Sequence, residues 1–404
     1  MDTVQPLHSP VTRILIARGL RAFGDGFVSL LLPLYLLELG FGPLQVGILA
    51  TATLCGSGLL TLAVGLRAHR YHYRALLLAA AALMTATGLS FAAAHEFWPL
   101  LVIAVVGTLN PSSGDVSVFL PLEHAVLSRE AGDRERTAVF ARYSLVGALV
   151  AAFGALAAAL PPTLAEATGI PLRAALQAMF VLYAVLGILV AVAYRGLSAV
   201  GAVDASPTLA PLRGSKHRIY ALATLFGLDA FGGGFVVQSM VALWLYQRFG
   251  LSLAAVGALF FWTSTLSALS YLVAVRIAKR IGLVNTMVFT HLPSSLCLVA
   301  IPFLQDVNHV VALLLVRSAL SQMDVPTRSS YVMAIVTPAE RPAAASLTSV
   351  PRSLASAASP LLAGYLLSVS TFGWPLLAAG ALKIVYDLLL LAYFGKVRPP
   401  EEVP

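Results

Sequence analysis

Apolar residues fill this chain in runs of twenty or more, separated by short polar steps. A run of that length crosses the ~30 Å hydrocarbon layer of a bilayer as a helix rising about 1.5 Å per residue. Twelve such runs fall at roughly 13–38, 44–66, 75–94, 98–127, 137–160, 172–195, 218–246, 253–275, 284–304, 309–335, 343–369 and 373–395. Each is read as a helix, because lipid offers unpaired backbone groups no partner. The alternation over about ten residues that marks a membrane barrel is not the pattern here. The expected fold is therefore all-α and integral to the membrane.

The longest polar interruption is GLSAVGAVDASPTLAPLRGSKH, residues 196–217. Rich in Gly, Ala, Ser and Pro, it reads as a flexible cytoplasmic linker. It divides the chain into an N-terminal six-helix bundle, residues 1–195, and a C-terminal six-helix bundle, residues 218–404. Lys and Arg gather at 67–74, 129–136, 195–218, 276–280, Arg341 and the tails, whereas the loops of the other side hold Arg173 and Arg248. The positive-inside rule then places both termini in the cytoplasm. Trp98, Trp244 and Trp374 fall at the predicted outer ends, as an aromatic belt would place them. Arg13, Arg18 and Arg21 interrupt the first apolar run, so no cleavable signal is expected.

Composition agrees: 59% of residues are hydrophobic and 11% charged, against about 25% charged in soluble domains. The net charge of +8 lies in short loops and implies no nucleic-acid partner. Cys55 and Cys297 each stand alone in an apolar run and read as small buried hydrophobes, with neither disulfide nor metal spacing. His69 and His72 belong to a basic loop, since zinc needs more ligands. The glycines at 232–234 lack the Lys-Ser/Thr of a phosphate loop. No nucleophile set or HExxH occurs, so no enzyme, cofactor or metal is expected.

AFGDGFV (22–28) returns as AFGGGFV (230–236), 208 positions later. Phe41-Gly42 and Phe249-Gly250 follow the two copies at equal spacing. RAHR (67–70) and IAKR (277–280) then close the next spans. In the fourth helix of each half SGDVSVFLPLEHAVLS (113–128) aligns with QMDVPTRSSYVMAIVT (322–337), so that Asp115 meets Asp324. Glu135-Arg136 meets Glu340-Arg341, and Arg142 meets Arg352 in the fifth helices. Two similar six-helix halves form a transporter plan, with substrate near the midplane and rocking between the halves. The repeated glycines let the first helix of each half pack closely or bend.

With these features the chain resembles the major facilitator superfamily, in its bacterial, twelve-helix form, over nearly its whole length. That family's motif between the second and third helices reads approximately G-x-L-A-D-R-x-G-R-R-x-x-L. GLRAHRYHYRALL (65–77) keeps Gly65, Ala68, Arg70, Arg74 and Leu77, with His69 in place of the Asp and His72 in place of the second Gly. The second half keeps Ala278, Arg280 and Gly282. The resemblance implies the major facilitator fold, a pathway lined by the first, second, fourth and fifth helices of each half, and a cytoplasmic gate at Gly65, Arg70, Arg74 and Arg280. The antiporter signature Gly-Pro-x-x-Gly-Gly is missing from 137–160, and SPLLAG (359–364) is a weak echo of it in the eleventh helix. The drug-efflux branch often carries an acid in its first helix, as Asp25 is here, and Pro33 fits that style.

Charges at membrane depth cost ~3 kcal/mol or more unless paired or wet, so each marks a cavity or a partner. Arg18, Arg21 and Asp25 share one helical face. Asp25 reads either as a proton-coupling or cation-binding carboxylate or as a static partner of Arg21. The second half has Asp229 where the first has Arg21. Asp324 shares a face with Arg328 and Arg317, and Asp115 is its repeat partner near Asn110, whose step into Pro111 should bend the helix. Arg21, Asp25, Asn110, Asp115, Arg142, Asp229, Trp262, Asp324, Arg328 and Arg352 are the candidate pathway residues. Arg142 and Arg352 suit an anion or the acids above, and Trp262 suits a cation–π face or core packing. Glu123, with His124, suits a gate salt bridge near the cytoplasmic end. Lys383 and Asp387, one turn apart on the last helix, suit a structural pair.

The expected function is secondary active transport of a small solute by alternating access: proton-coupled efflux of an amphipathic compound, by a monomer in the plasma membrane. The alternative is uptake or facilitated movement of a polar metabolite or anion. A non-transporting sensor would tolerate joint neutralisation of Asp25 and Asp324.

Overall fold

The computed structural model describes residues 9–67, 71–112, 117–130, 136–197, 216–337 and 340–397. Asp115, Arg70 and most of the expected linker lie outside them. The described residues form helices and connecting turns, with no strand. In chain order the helices are α1 (Pro10–Glu38), α2 (Pro43–Arg67), α3 (Tyr73–Ala93), α4 (Phe97–Val106), α5 (Phe119–Glu130), α6 (Arg136–Ala157), α7 (Leu160–Thr168) and α8 (Leu172–Arg195). There follow α9 (Lys216–Gly234), α10 (Gln238–Phe249), α11 (Leu253–Ile281), α12 (Leu283–Ala300), α13 (Val307–Ser321), α14 (Asp324–Ala334), α15 (Arg341–Val369) and α16 (Trp374–Phe394).

Ten helices among the described residues are long and apolar enough to cross a membrane. Two of the twelve expected spans are not among them. The fourth is divided into α4 and α5. The eleventh, α15, is a 29-residue helix with Pro351 and Pro360 inside it, and its many serines lower its apolarity. The seventh and tenth spans are jointed, at 235–237 between α9 and α10 and at 322–323 between α13 and α14.

The chain divides into two compact units, Met1–Ser206 with Leu251–Phe261, and Pro207–Gly250 with Trp262–Pro404. In the first unit α1 packs on α6 and α8, α3 on α8, and α2 on α4. In the second, α9 packs on α15 and α16, and α12 on α13, α14 and α16. The first helix of each half therefore lies against the fifth and sixth of its own half, and the third against the sixth.

The repeated glycines explain this shared plan. A Cβ on Gly26 would overlap the Ala151 carbonyl of α6, and one on Gly154 the Phe23 carbonyl of α1. A Cβ on Gly234 would overlap the Ser356 carbonyl of α15. At the same joint the Ser359 hydroxyl donates to the Phe231 carbonyl at 2.5 Å. In lipid, apolar area supplies no drive to bring helices together, so close backbone approach at small residues takes its place.

The tryptophans divide. Trp98 and Trp374 are exposed, as expected, but Trp244 is fully buried. Its indole N–H donates to the Thr371 carbonyl at 3.0 Å. Beside it the Arg248 guanidinium donates to the carbonyls of Thr371, Phe372, Pro302 and Leu304 at 3.1–3.3 Å. These bonds tie α10 to two loops of its own unit. Cys55 and Cys297, expected as small buried hydrophobes, are free thiols and half-buried.

Candidate functional site

Each unit encloses charged side chains where α1 or α9 meets the fourth helix of its half. In the first unit Arg21 of α1 and Glu123 of α5 are both buried, at 2% and 0% exposure. Arg21 Nη2 pairs with Glu123 Oε2. The Tyr143 hydroxyl of α6 donates to that oxygen at 2.5 Å, and the Tyr194 hydroxyl of α8 donates to Oε1 at 2.6 Å. Both carboxylate oxygens are thus satisfied, which is the condition for a buried charge to be tolerated. The Arg21 guanidinium lies 4.2 Å from the Phe119 ring centroid, and that of Arg18 5.0 Å from the Tyr143 ring. Gly147 makes the room for Arg18, since a Cβ there would strike its guanidinium. His124 packs edge-on against Phe140 and Tyr143. Within the first unit, then, Glu123 is the hub joining α1, α5, α6 and α8. Asp25, one turn beyond Arg21, is also buried, and the neighbouring Gly24 faces the Tyr183 ring.

The fourth span shows how a break is housed at membrane depth. Helix α4 stops at Val106, ahead of Pro111, because Gly107 turns into extended backbone. The groups freed there find side chains. The Thr87 hydroxyl accepts from the Thr108 N–H at 3.3 Å, and the Tyr183 hydroxyl donates to the Thr108 carbonyl at 3.1 Å. Asn110, 2% exposed, accepts through Oδ1 from the Ser112 N–H and hydroxyl at 3.1 and 2.7 Å. The bend expected at Asn110-Pro111 thus begins three residues earlier.

The second unit reverses the charges. Asp229 of α9 stands in the repeat position of Arg21 and is 3% exposed. Its Oδ1 accepts from Lys383 Nζ of α16 at 2.6 Å, and its Oδ2 from Arg328 Nη2 of α14 at 3.2 Å. The same Arg328 nitrogen pairs with Asp324. His291 of α12 donates through Nδ1 to both oxygens of Asp387, at 2.9 and 3.1 Å. Its Nε2 lies 3.5 Å from Lys383 Nζ and 3.6 Å from Asp229 Oδ1. Arg352 of α15 is half-buried, and its charge acts on Asp229. Arg328 leaves Nε and Nη1 buried without a partner among the described residues.

Lys383 and Asp387 do not form the structural pair that their spacing suggested. Both point inward, Lys383 to Asp229 and Asp387 to His291. His291 itself, with Tyr143 and Tyr194, was not among the expected residues. Its signal was a lone imidazole inside an apolar run, two residues before Pro293. The other expected residues lie elsewhere. Arg142 is exposed on α6, Arg74 half-buried on α3, and Trp262 is 56% exposed on α11. Arg280 lines a cavity of about 640 Å³ with Lys279, Asn285, Thr327 and Ser330. Gly65 falls in the last turns of α2.

Comparison with known proteins follows this architecture. An uncharacterised membrane protein of Saccharomyces cerevisiae, YJR124C, is 24% identical over 410 residues, 93% of this chain and 92% of that one. Among solved structures, a variant of the nucleoside transporter NupG superposes with a TM-score of 0.75 at 12% identity, over 96% of this chain and 100% of that one. A bacterial homologue of the human lysosomal transporter Spinster, inward-facing and occupied, gives 0.75 at 13% identity, over 95% of each chain. The human organic anion transporter MFSD10 (TETRAN) gives 0.61 at 16%, over 96% of this chain and 100% of that one. At such identities these likenesses establish the fold alone. The Major Facilitator Superfamily profile matches residues 14–316 and 222–404, which together take in nearly every helix, and the chain is a membrane transporter belonging to the Major Facilitator Superfamily.

Proposed function

We propose that this protein is a proton-coupled secondary transporter that exports an amphipathic compound, acting as a monomer in the plasma membrane. The observation that carries the reading is Asp229, a buried carboxylate shared by Lys383 and Arg328 with His291 3.6 Å away. Carboxylates and imidazoles clustered at membrane depth are the usual material of proton relays. Two cations on one carboxylate give it two alternative pairings, which a conformational cycle can exchange. Amphipathic cargo is supported by Asp25, a carboxylate at membrane depth next to the glycine that faces the Tyr183 ring. The two halves would carry this chemistry through alternating access.

A second reading is uptake or facilitated movement of a polar metabolite or anion. It draws on the unpartnered Nε and Nη1 of Arg328 and on the two known proteins that move nucleosides and organic anions. The test is transport in proteoliposomes under an imposed pH gradient. Tetraphenylphosphonium, uridine and p-aminohippurate serve as probes. The export reading expects tetraphenylphosphonium to move against the proton gradient, and Asp229→Asn to keep exchange without gradient-driven accumulation. Movement of uridine or p-aminohippurate alone transfers the case to the second reading. Accumulation indifferent to the pH gradient overturns the coupling.

A further inference from the structure

We propose that His291 is the proton acceptor of the second unit, and that its Nε2 decides whether Lys383 or the imidazolium holds Asp229. The proposal rests on the proton-coupled reading above and names the group that exchanges the proton.

The geometry fixes the tautomer. Nδ1 faces both oxygens of Asp387 at 2.9 and 3.1 Å, and a carboxylate only accepts, so Nδ1 carries the hydrogen. In the neutral ring Nε2 then holds a lone pair. Its nearest donor is Lys383 Nζ at 3.5 Å, and its nearest acceptor is Asp229 Oδ1 at 3.6 Å. Lys383 Nζ is itself 2.6 Å from that same Oδ1. One carboxylate oxygen, one ammonium and one imidazole nitrogen therefore form a triangle.

Protonation changes the sign of one corner. A hydronium ion gives its proton to the Nε2 lone pair and leaves as water, so one O–H bond breaks as the N–H bond forms. The imidazolium now repels Lys383 and attracts Asp229. Lys383 loses an acceptor at Nε2 and meets a rival for Oδ1, while Asp387 continues to hold Nδ1. Oδ2 stays with Arg328. One proton thus exchanges the partner of Asp229 without altering its burial.

Every element packed on this part of α12 contributes a charged or titratable group. From α16 come Asp387, Lys383 and Tyr386, whose ring stands 5.9 Å from the imidazole, edge to face. From α9 comes Asp229. Helix α14 adds Arg328 and Asp324 beyond Asp229, and α13 adds Arg317, whose backbone carbonyl accepts from the Ser294 hydroxyl of α12. Helices α12 and α16 are the third and sixth of their half. The exchange would give these supporting helices a hold on α9, the helix that carries the repeated glycines.

The test is a pH titration of the full-length protein, labelled with isotopic histidine, in lipid nanodiscs. The resonance lost in His291→Gln, or in His291→Asn should the first fold poorly, belongs to His291. It should pass from neutral to charged as the pH falls through the range in which the protein stays folded. Asp387→Asn should lower that midpoint and Lys383→Met raise it, each by about one pH unit or more. A resonance that keeps one charge state over that range, or a midpoint indifferent to Lys383→Met, overturns the proposal. Tetraphenylphosphonium transport separates it from the functional reading. If a pH gradient drives the probe equally in wild type and His291→Gln, the reading stands and the His291 role falls. If no pH gradient drives it but His291 titrates with these two signs, the coupling falls and the exchange at Asp229 stands.

Discussion

The two halves use one backbone plan and opposite electrostatics. Gly26 of α1 against α6 and Gly234 of α9 against α15 are the same contact made twice. Above them the first half puts the base on its first helix and the acid on its fourth, Arg21 to Glu123. The second half puts the acid first and the base fourth, Asp229 to Arg328. The difference lies in how each acid is satisfied. Glu123 is closed, with one cation and two tyrosine hydroxyls on its two oxygens. Asp229 is contested, with two cations in contact and an imidazole within reach. A closed pair holds helices together. A contested carboxylate offers alternative pairings, which is what a moving part requires.

The largest expected effects break this comparison directly. Glu123→Gln leaves Arg21 buried and uncompensated, at about 3–5 kcal/mol, and should lower the melting midpoint and the yield of folded protein. Arg21→Met with Glu123→Leu removes both charges and should recover most of that loss. The parallel pair in the second half, Asp229→Asn with Lys383→Met, should also fold. It should differ in transport, keeping exchange without pH-driven accumulation. If both double variants transport alike, the contrast between closed and contested acids is wrong.

A smaller effect separates shape from charge within the repeated seven residues. Gly26→Ala and Gly234→Ala each place a Cβ onto a backbone carbonyl and should cost about 1–3 kcal/mol as overpacking. Gly233→Ala should cost little, because its Cβ would meet only Lys383 atoms, the nearest at 3.7 Å. Melting midpoints of the three variants, measured side by side, check this. Equal loss at all three would mean that backbone freedom, rather than close approach, keeps these glycines.

Much of this was legible in the sequence because hydropathy and repetition survive without neighbours. Spans, halves and the recurring glycines follow from patterns along the chain. The fourth span reads as one bent helix along the chain because its break is housed by Thr87 and Tyr183, residues of other helices. Trp244 has the chain position of an interface-belt residue, yet a carbonyl 127 positions away claims its N–H. The charges show the same limit. Spacing along one helix suggested Lys383 with Asp387, while the actual partners come from α9 and α12. Local spacing tells which side chains share a face; it does not tell what that face meets. His291 is silent in the sequence for the same reason, since a single imidazole in an apolar run has no partner until α16 is in place.

The smallest expected effect tests whether sealing a loop end matters as much as a buried pair. Arg248 donates to four carbonyls from two loops, but at the edge of the fold, where the bond to Thr371 is exposed. Each such bond contributes on the order of 1 kcal/mol, and less where water can replace it. Arg248→Lys keeps the charge and loses the planar fork that reaches several acceptors at once. Arg248→Ala loses both. The melting midpoint should therefore fall modestly in Arg248→Lys and somewhat further in Arg248→Ala, with the proposed transport unchanged in both. A fall in Arg248→Lys as large as that of Glu123→Gln would show that carbonyl sealing at this end of the second unit rivals the buried pair of the first. The distinction between the halves would then lie in where each is fastened as well as in how its acid is held.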